Sequence, residues 1–340
     1  MNNLVAEELN KIIEERCENR NIYQYILKCL EYFKSGNTIF YSYLCNSIFD
    51  LLSTYQNFKF VCADSSYFSS SECELSIIQK DIEVGDYTTF IHEITHAIHG
   101  LQYSYNIPSE YEYLRNQLIS NDNFMGLVCD LMRYIIQSKK AIIEQTIEKS
   151  QSSKGSITFE KINKELIIDA NKINNEIKND TDKINKNIKL TSNIYNLFKM
   201  IDNITPSLEI GSLITINNQL NRQFESLIDD IGYTTFVGER FHALSRMEGM
   251  IDSILVGELF SGYKNDCFYI EGWGHKKEYF EKNPANSFKE LIADYSVLIA
   301  YNDSTLIEMM GKVLGNEMSD LLRTSLNSMI CKENTNYKSR

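Results

Sequence analysis

The 340-residue chain is short of most features that narrow a protein's class at a glance. It has three prolines and a single tryptophan. Its eight cysteines (Cys17, Cys29, Cys45, Cys62, Cys73, Cys129, Cys267 and Cys331) include no C-x-x-C pair and form no dense framework. A chain this long needs no covalent staples, so the cysteines read as reduced thiols, mostly buried, in a reducing compartment. The opening "MNNLVAEELNK" has no basic stretch leading into an apolar one, and no secretory leader is expected. No apolar run approaches the roughly 20 residues that span a bilayer, which predicts a soluble protein without a membrane span. Positive charge is in the minority, with 34 Lys and Arg against 46 Asp and Glu, a formal charge of −12 and a pI near 5.0. That balance argues against nucleic acid or an anionic membrane as the main partner and leaves a protein or peptide substrate open.

What the chain does have is helix-forming sequence, rich in Asn, Ile and Lys. Within 1–56, Leu4, Val5, Leu9, Ile12 and Ile13, then Ile22, Tyr25, Ile26, Cys29, Leu30, Tyr32 and Phe33, recur at helical spacing and stop at Gly36. This predicts one helix, or two in series. In 57–108, "NFKFVCAD" and "CELSIIQKD" are short, β-branched or aromatic, and bounded by serine-rich connectors, so they are the strand candidates. Asp86 as N-cap and Gly100 just past the end frame a helix over Tyr87–His99. From 109 to 260 nearly everything reads helical. Ser109 with Glu112 has the form of a capping box, a long periodic run covers Asn123–Lys149, and an amphipathic arm at about 157–190 carries Ile162, Leu166, Ala170, Ile173, Ile177, Ile184 and Ile188. The last stretch, 261–340, opens with aromatic, Gly-punctuated sequence ("GWGH") and passes through Asn283-Pro284 into an apolar helix. The fold class is therefore α+β, predominantly α-helical.

The chemistry concentrates in "YTTFIHEITHAIHG", residues 87–100, which holds three of the five histidines. Residues i and i+4 of a helix share a face, so His92 and His96 can close on one tetrahedral Zn2+. Glu93 then lies beside an open coordination position, where it can take a proton from water. Two histidines need a third protein ligand. The metzincin continuation H-E-x-x-H-x-x-G-x-x-H is excluded, because His99 stands where its glycine belongs and Gln102 where its third histidine belongs. "KELIAD" resembles the gluzincin solution, a Glu from a later helix with an acidic residue four positions on, and that resemblance implies Glu290 as ligand and Asp294 as the group that orients a ligand histidine from behind. Ser287-x-x-Glu290 also reads as a capping box; with Asn283 as N-cap and Pro284 at the first helical position, Glu290 is instead free to point inward. Glu110 and Glu112 are the other ligand candidates, in a charged, tyrosine-rich stretch. His99 lies on the stripe of His92 and His96 but one turn beyond, which suits a supporting or packing role.

"FIHEITHAI" together with "KELIADYSVL" resembles the paired active-site helices of gluzincin metalloproteases. The first part is similar to the thermolysin-like helix, and "NPANSFKELIADYS" to the glutamate-bearing helix of anthrax lethal-factor-like proteases. The resemblance implies a zincin-like core with a small sheet and two active-site helices, interrupted by the large helical insertion. It also implies Zn2+ held by His92, His96 and Glu290, Glu93 as general base, and hydrolysis of a peptide bond. The oxyanion-stabilising Tyr or His of the family has no motif-level match here, and Tyr279 and His275 are the candidates. By analogy with toxin-type proteases, the chain would be made in a bacterial cytoplasm and delivered by a dedicated secretion system to act on a host protein. Two other readings stand beside it: a non-catalytic helical interaction module on a degenerate zincin scaffold, and a cytoplasmic regulatory metalloprotease.

One internal feature is left over. "YTTFIHEITHAI" (87–98) and "YTTFVGERFHAL" (233–244) agree at seven of twelve positions, but Gly238 replaces the first histidine. The second copy reads as a coincidence, a decayed duplication, or a helix packed beside the site with His242 facing it.

Overall fold

A computed structural model describes residues 3–152, 194–231, 235–258 and 277–330. The amphipathic arm expected at about 157–190 and the "GWGH" segment with His275 lie outside them. The described residues divide into two compact units: Met1–Leu131 with Gly238–Arg340, and Met132–Val237. The fold is predominantly helical α+β with one small sheet.

The first unit begins with α1 (Asn3–Arg16) and α2 (Arg20–Gly36). The periodic run is thus two helices, and the break has a local cause. Asn19 accepts hydrogen bonds from the backbone N–H groups of Asn21 and Ile22, restarting the helix as an N-cap. The predicted apolar stripe is the buried one in α2: Ile22, Tyr25, Ile26, Cys29, Leu30 and Phe33. Asn37 then joins three elements. Its side chain caps the first turn of α3 (Thr38–Thr54) and donates to the carbonyls of Ile299 and Ala300 at 3.0 and 3.1 Å.

The sheet contains β1 (Lys59–Ala63), β2 (Tyr67–Ser69) and β3 (Glu74–Ile78) in the order β1-β3-β2. β1 and β3 are the two predicted strands and pair in parallel; β2 pairs antiparallel with β3 and falls in the serine-rich stretch expected to be a connector. Three residues flanked by Ser are too few to show alternation. The far side of β1 is covered by a bridge to Cys17 and by the Glu18 N–H, which donates to the Phe60 carbonyl. Buried Phe60 stands 6.3 Å from Phe90, so the sheet rests on the helix that follows.

After the short α4 (Gln79–Val84), that helix is α5 (Thr88–Ala97). Asp86 acts as expected, its Oδ1 accepting from both the backbone N–H and the hydroxyl of Thr88. The end differs from expectation: the chain continues through a π-helical turn, Ile98–Gln102, past Gly100. Gly100 serves close approach instead of termination, because a Cβ there would come within 2.6 Å of the Tyr105 ring. The predicted capping box at Ser109 does not form either. Ser109 Oγ donates to Glu110 at 2.9 Å, and α6 (Tyr111–Ile119) starts without a side-chain cap.

The long helix α7 (Phe124–Ser152) matches the periodic run from Asn123. In the second unit, a helical stretch at 194–202 and α8 (Ile210–Ile231) follow. There the fully buried Lys139 donates to the side-chain carbonyls of Asn217 and Asn221, at 3.2 and 2.8 Å. The first unit is completed by α9 (Thr235–Ile254, from Gly238), α10 (Lys277–Lys282), α11 (Ala285–Tyr301) and α12 (Ser304–Ile330), the last broken at Gly315. Asn283 caps α11 as expected, accepting from the Ala285 N–H at 3.1 Å. The competing capping box at Ser287 is excluded, because that hydroxyl is buried and donates to the Ser253 carbonyl at 2.6 Å. The six described cysteines are free thiols, Cys29 and Cys45 fully buried. Among the described residues, no helix is long and apolar enough to cross a membrane.

Candidate metal centre

α5 and α11 pack against each other in the middle of the first unit. Their apolar residues supply the adhesion: Phe90, Ile91 and Ile94 on one side, Phe288, Leu291 and Ile292 on the other, all buried. Each such side chain contributes about 1.5–3 kcal/mol. A polar contact fixes the register, since Thr95 Oγ1 and Ser296 Oγ lie 2.7 Å apart and both are buried.

That register brings together residues nearly two hundred positions apart in sequence. His92 Nε2 is 3.1 Å from His96 Nε2 and 3.2 Å from Glu290 Oε2. The third side of the triangle, His96 Nε2 to Glu290 Oε2, is 3.4 Å. Ligands at 2.0–2.1 Å around a tetrahedral Zn2+ stand about 3.3–3.4 Å apart, so three such atoms form one face of that tetrahedron. The donor set points the same way. A carboxylate only accepts hydrogen bonds, and where both imidazole nitrogens also present lone pairs, the three corners are all electron-pair donors to one cation.

Behind His92, its Nδ1 lies 2.8 Å from Asp294 Oδ1, close enough for charge pairing, and Nε2 on the other side of the ring is turned toward the triangle. Burial and the Arg246 guanidinium both oppose charge on His92, yet Asp294 and Glu290 outweigh them and raise its pKa to about 9. The cluster therefore favours positive charge at its centre. Among the described residues, His92, His96 and Glu290 form the one group of this kind.

Of the remaining candidates, Tyr279 contacts the triangle, while His99, Glu110, Glu112 and His242 have partners elsewhere. Tyr279, from α10, donates to Glu290 Oε1 at 2.7 Å, and burial first, then the Glu290 carboxylate, pushes its hydroxyl well above the usual tyrosine range. Glu93 is half-buried on α5, close enough to add to the upward shifts of Tyr279 and Tyr105. His99 is held away from the cluster: its Nε2 faces the Asn106 carbonyl at 3.2 Å and its ring packs on Tyr105 and Phe288. Burial lowers its pKa to about 4. Glu110 and Glu112 are occupied elsewhere, with Ser109 and Arg115 respectively. His242 does not face the triangle; its Nδ1 pairs with Asp86 Oδ2.

Two neighbours carried no signal in the sequence. Ser104 and Tyr105 both have φ near +50°, an uncommon left-handed pair that turns the chain back after the π-helical turn. The turn lays Tyr105 against Gly100, with Lys289 Nζ 3.9 Å from the centre of its ring. Burial, then Glu290 and Glu93, pushes the Tyr105 hydroxyl up to about 12. Arg246, from α9, lies 3.4 Å from Asp294 Oδ1. Comparison with protein-family models, with curated proteins and with solved structures finds no match to this chain.

Proposed function

We propose that the protein is a zinc-dependent endopeptidase built on a zincin-like core, with the metal held by His92, His96 and Glu290. The observation that carries this reading is the triangle of two imidazole nitrogens and a carboxylate oxygen, 3.1–3.4 Å on a side, with a glutamate following its first histidine. Bound there, Zn2+ supplies Lewis-acid polarisation of a peptide carbonyl and of water.

The chain's own residues do the rest. Asp294 fixes the His92 ring so that Nε2 presents its lone pair. Glu93 takes a proton from the attacking water and returns it to the leaving amine, so that it ends the cycle ionised as it began. Tyr279, whose hydroxyl stays protonated, is a hydrogen-bond donor at the site and can serve the oxyanion of the tetrahedral intermediate. A peptide substrate suits the neighbouring sheet. Among the described residues, β2 is paired on one side only, by β3, and lies against α5, leaving main-chain groups that an extended peptide can meet. A protein of a host cell fits the resemblance to toxin-type proteases.

The deciding experiment is Glu93→Gln. The variant should keep about one zinc per chain and the wild-type melting temperature while cleavage of a protein substrate pool falls about 10²–10⁴-fold, read as new N-termini by mass spectrometry. Undiminished cleavage would remove Glu93 as the base, and wild-type protein that takes up no zinc would remove the metal reading altogether.

A further inference from the structure

One stripe of α9 reaches both halves of the metal centre. Positions 242, 246, 249 and 253 follow each other at spacings of four, three and four, so they share a helix face. His242 pairs with Asp86, whose carboxylate caps the first turn of α5. Arg246 Nη2 is 3.5 Å from Thr89 Oγ1, also in that turn, and its Nη1 is 3.4 Å from Asp294 Oδ1 on α11. Further along, the Ser253 carbonyl accepts from Ser287 Oγ. Residue 246 thus meets 294 and residue 253 meets 287, so α9 and α11 run antiparallel.

Gly249 is the position that ordinary helix energetics does not explain. Glycine inside a helix is less favourable than alanine. Its backbone has no positive φ to require glycine. What requires it is space: a Cβ at 249 would collide with Asp294 Oδ2. The Asp294 carboxylate is therefore held at both oxygens. Oδ1 sits between His92 Nδ1 and Arg246 Nη1, and Oδ2 rests in the gap left by the missing side chain of Gly249.

We propose that Arg246 and Gly249 are positioning residues of the metal centre, the guanidinium and the glycine gap together holding Asp294 where it fixes the His92 ring. This rests on the metal reading above and adds a third helix to the two that carry the ligands. Moving the carboxylate frees the imidazole to turn or to take the other tautomer, and either change withdraws the Nε2 lone pair from the triangle. The substitution with the least chemistry, Gly249→Ala, should then weaken metal binding although it adds only a methyl group in a favourable helical setting.

The test uses the full chain, stripped of metal, with zinc affinity measured by competition against a chromophoric chelator and ligand geometry by the absorption of the Co2+-substituted protein. Gly249→Ala and Arg246→Ala should each weaken zinc by about tenfold to a hundredfold and alter the Co2+ spectrum. Arg246→Lys should recover part of both. Arg240→Ala, on the same helix in an exposed pair with Asp303, should change neither. In an Asp294→Ala background, Gly249→Ala should have no further effect, because the group it displaces is gone; this cycle separates positioning from a general loss of packing. The inference is overturned if the wild type binds zinc and Gly249→Ala and Arg246→Ala match it in affinity and spectrum, or if Gly249→Ala costs as much without Asp294 as with it. A wild type that binds no zinc overturns the metal reading itself, and this inference with it.

Discussion

The sequence segments 87–98 and 233–244, which overlap α5 and α9, share Tyr, Thr, Thr, Phe, Glu, His and Ala at matching positions, yet their common histidine sits in two different electrostatic settings. In α5, His96 has His92 one turn before it, and the two nitrogens converge with Glu290 on a centre that favours positive charge. In α9, the residue one turn before His242 is Gly238, and the imidazole meets a single buried carboxylate, Asp86. Burial alone would raise the Asp86 pKa; His242 and the bonds from Thr88 outweigh it and hold the carboxyl below its usual range. The same residue type is thus a metal-ligand candidate in one helix and a counter-charge in the other. The partner across the interface decides which.

Exchanging the two histidines for alanine should break the comparison cleanly. His96→Ala removes one corner of the triangle and should lower zinc affinity by at least about a hundredfold in a folded protein, read by metal analysis and chelator competition. His242→Ala should do the reverse. It leaves Asp86 buried without its charge partner, which costs about 3–5 kcal/mol, visible in denaturant unfolding, while the zinc stoichiometry stays that of the wild type.

The third histidine of α5's motif sharpens the contrast, because its signature is pH dependence. His99 has a folded pKa of about 4 against 6.5 for the free side chain. Between those values the unfolded chain binds a proton that the folded one refuses. Its contribution is therefore present above pH 6.5 and lost as the pH falls toward 4. The loss amounts to roughly 3 kcal/mol. His99→Phe should remove it, so the urea midpoint of the variant should fall less steeply than that of the wild type from pH 7 to pH 4.

The smallest effect belongs to the helix crossing. Thr95, which α9 replaces with Phe241, faces Ser296 at the α5–α11 contact. Ser296 also donates to the Ala293 carbonyl, so Thr95→Val leaves it satisfied. The substitution should cost only about 1 kcal/mol in thermal unfolding, with zinc retained.

Much of this is legible in the sequence. The pairing of His92 with His96, the four-residue step from Glu290 to Asp294, the capping of α5 by Asp86 and of α11 by Asn283, and strands β1 and β3 all rest on local spacing or local chemistry. Other features depart from their local sequence signals because a longer-range contact takes the deciding role. Gly100 has the look of a helix stop, but Tyr105 uses its bare Cα as a seat. Ser287 has the look of a cap, but its hydroxyl is spent on Ser253 and Tyr111. β2 is three residues long and owes its existence to β3.

By itself the sequence determined the helical faces and the chemical groups they carry, since a 3.6-residue period places His92 and His96 on one stripe and Glu290 and Asp294 on another. Which stripes meet was decided only by the tertiary structure. Convergence of Nε2, Nε2 and Oε2 to within 3.4 Å depends on apolar packing between α5 and α11, and that packing has no trace in the spacing of the polar residues. The same holds for the glycine that leaves room for Asp294. A missing side chain acquires meaning only from the neighbour that occupies its place.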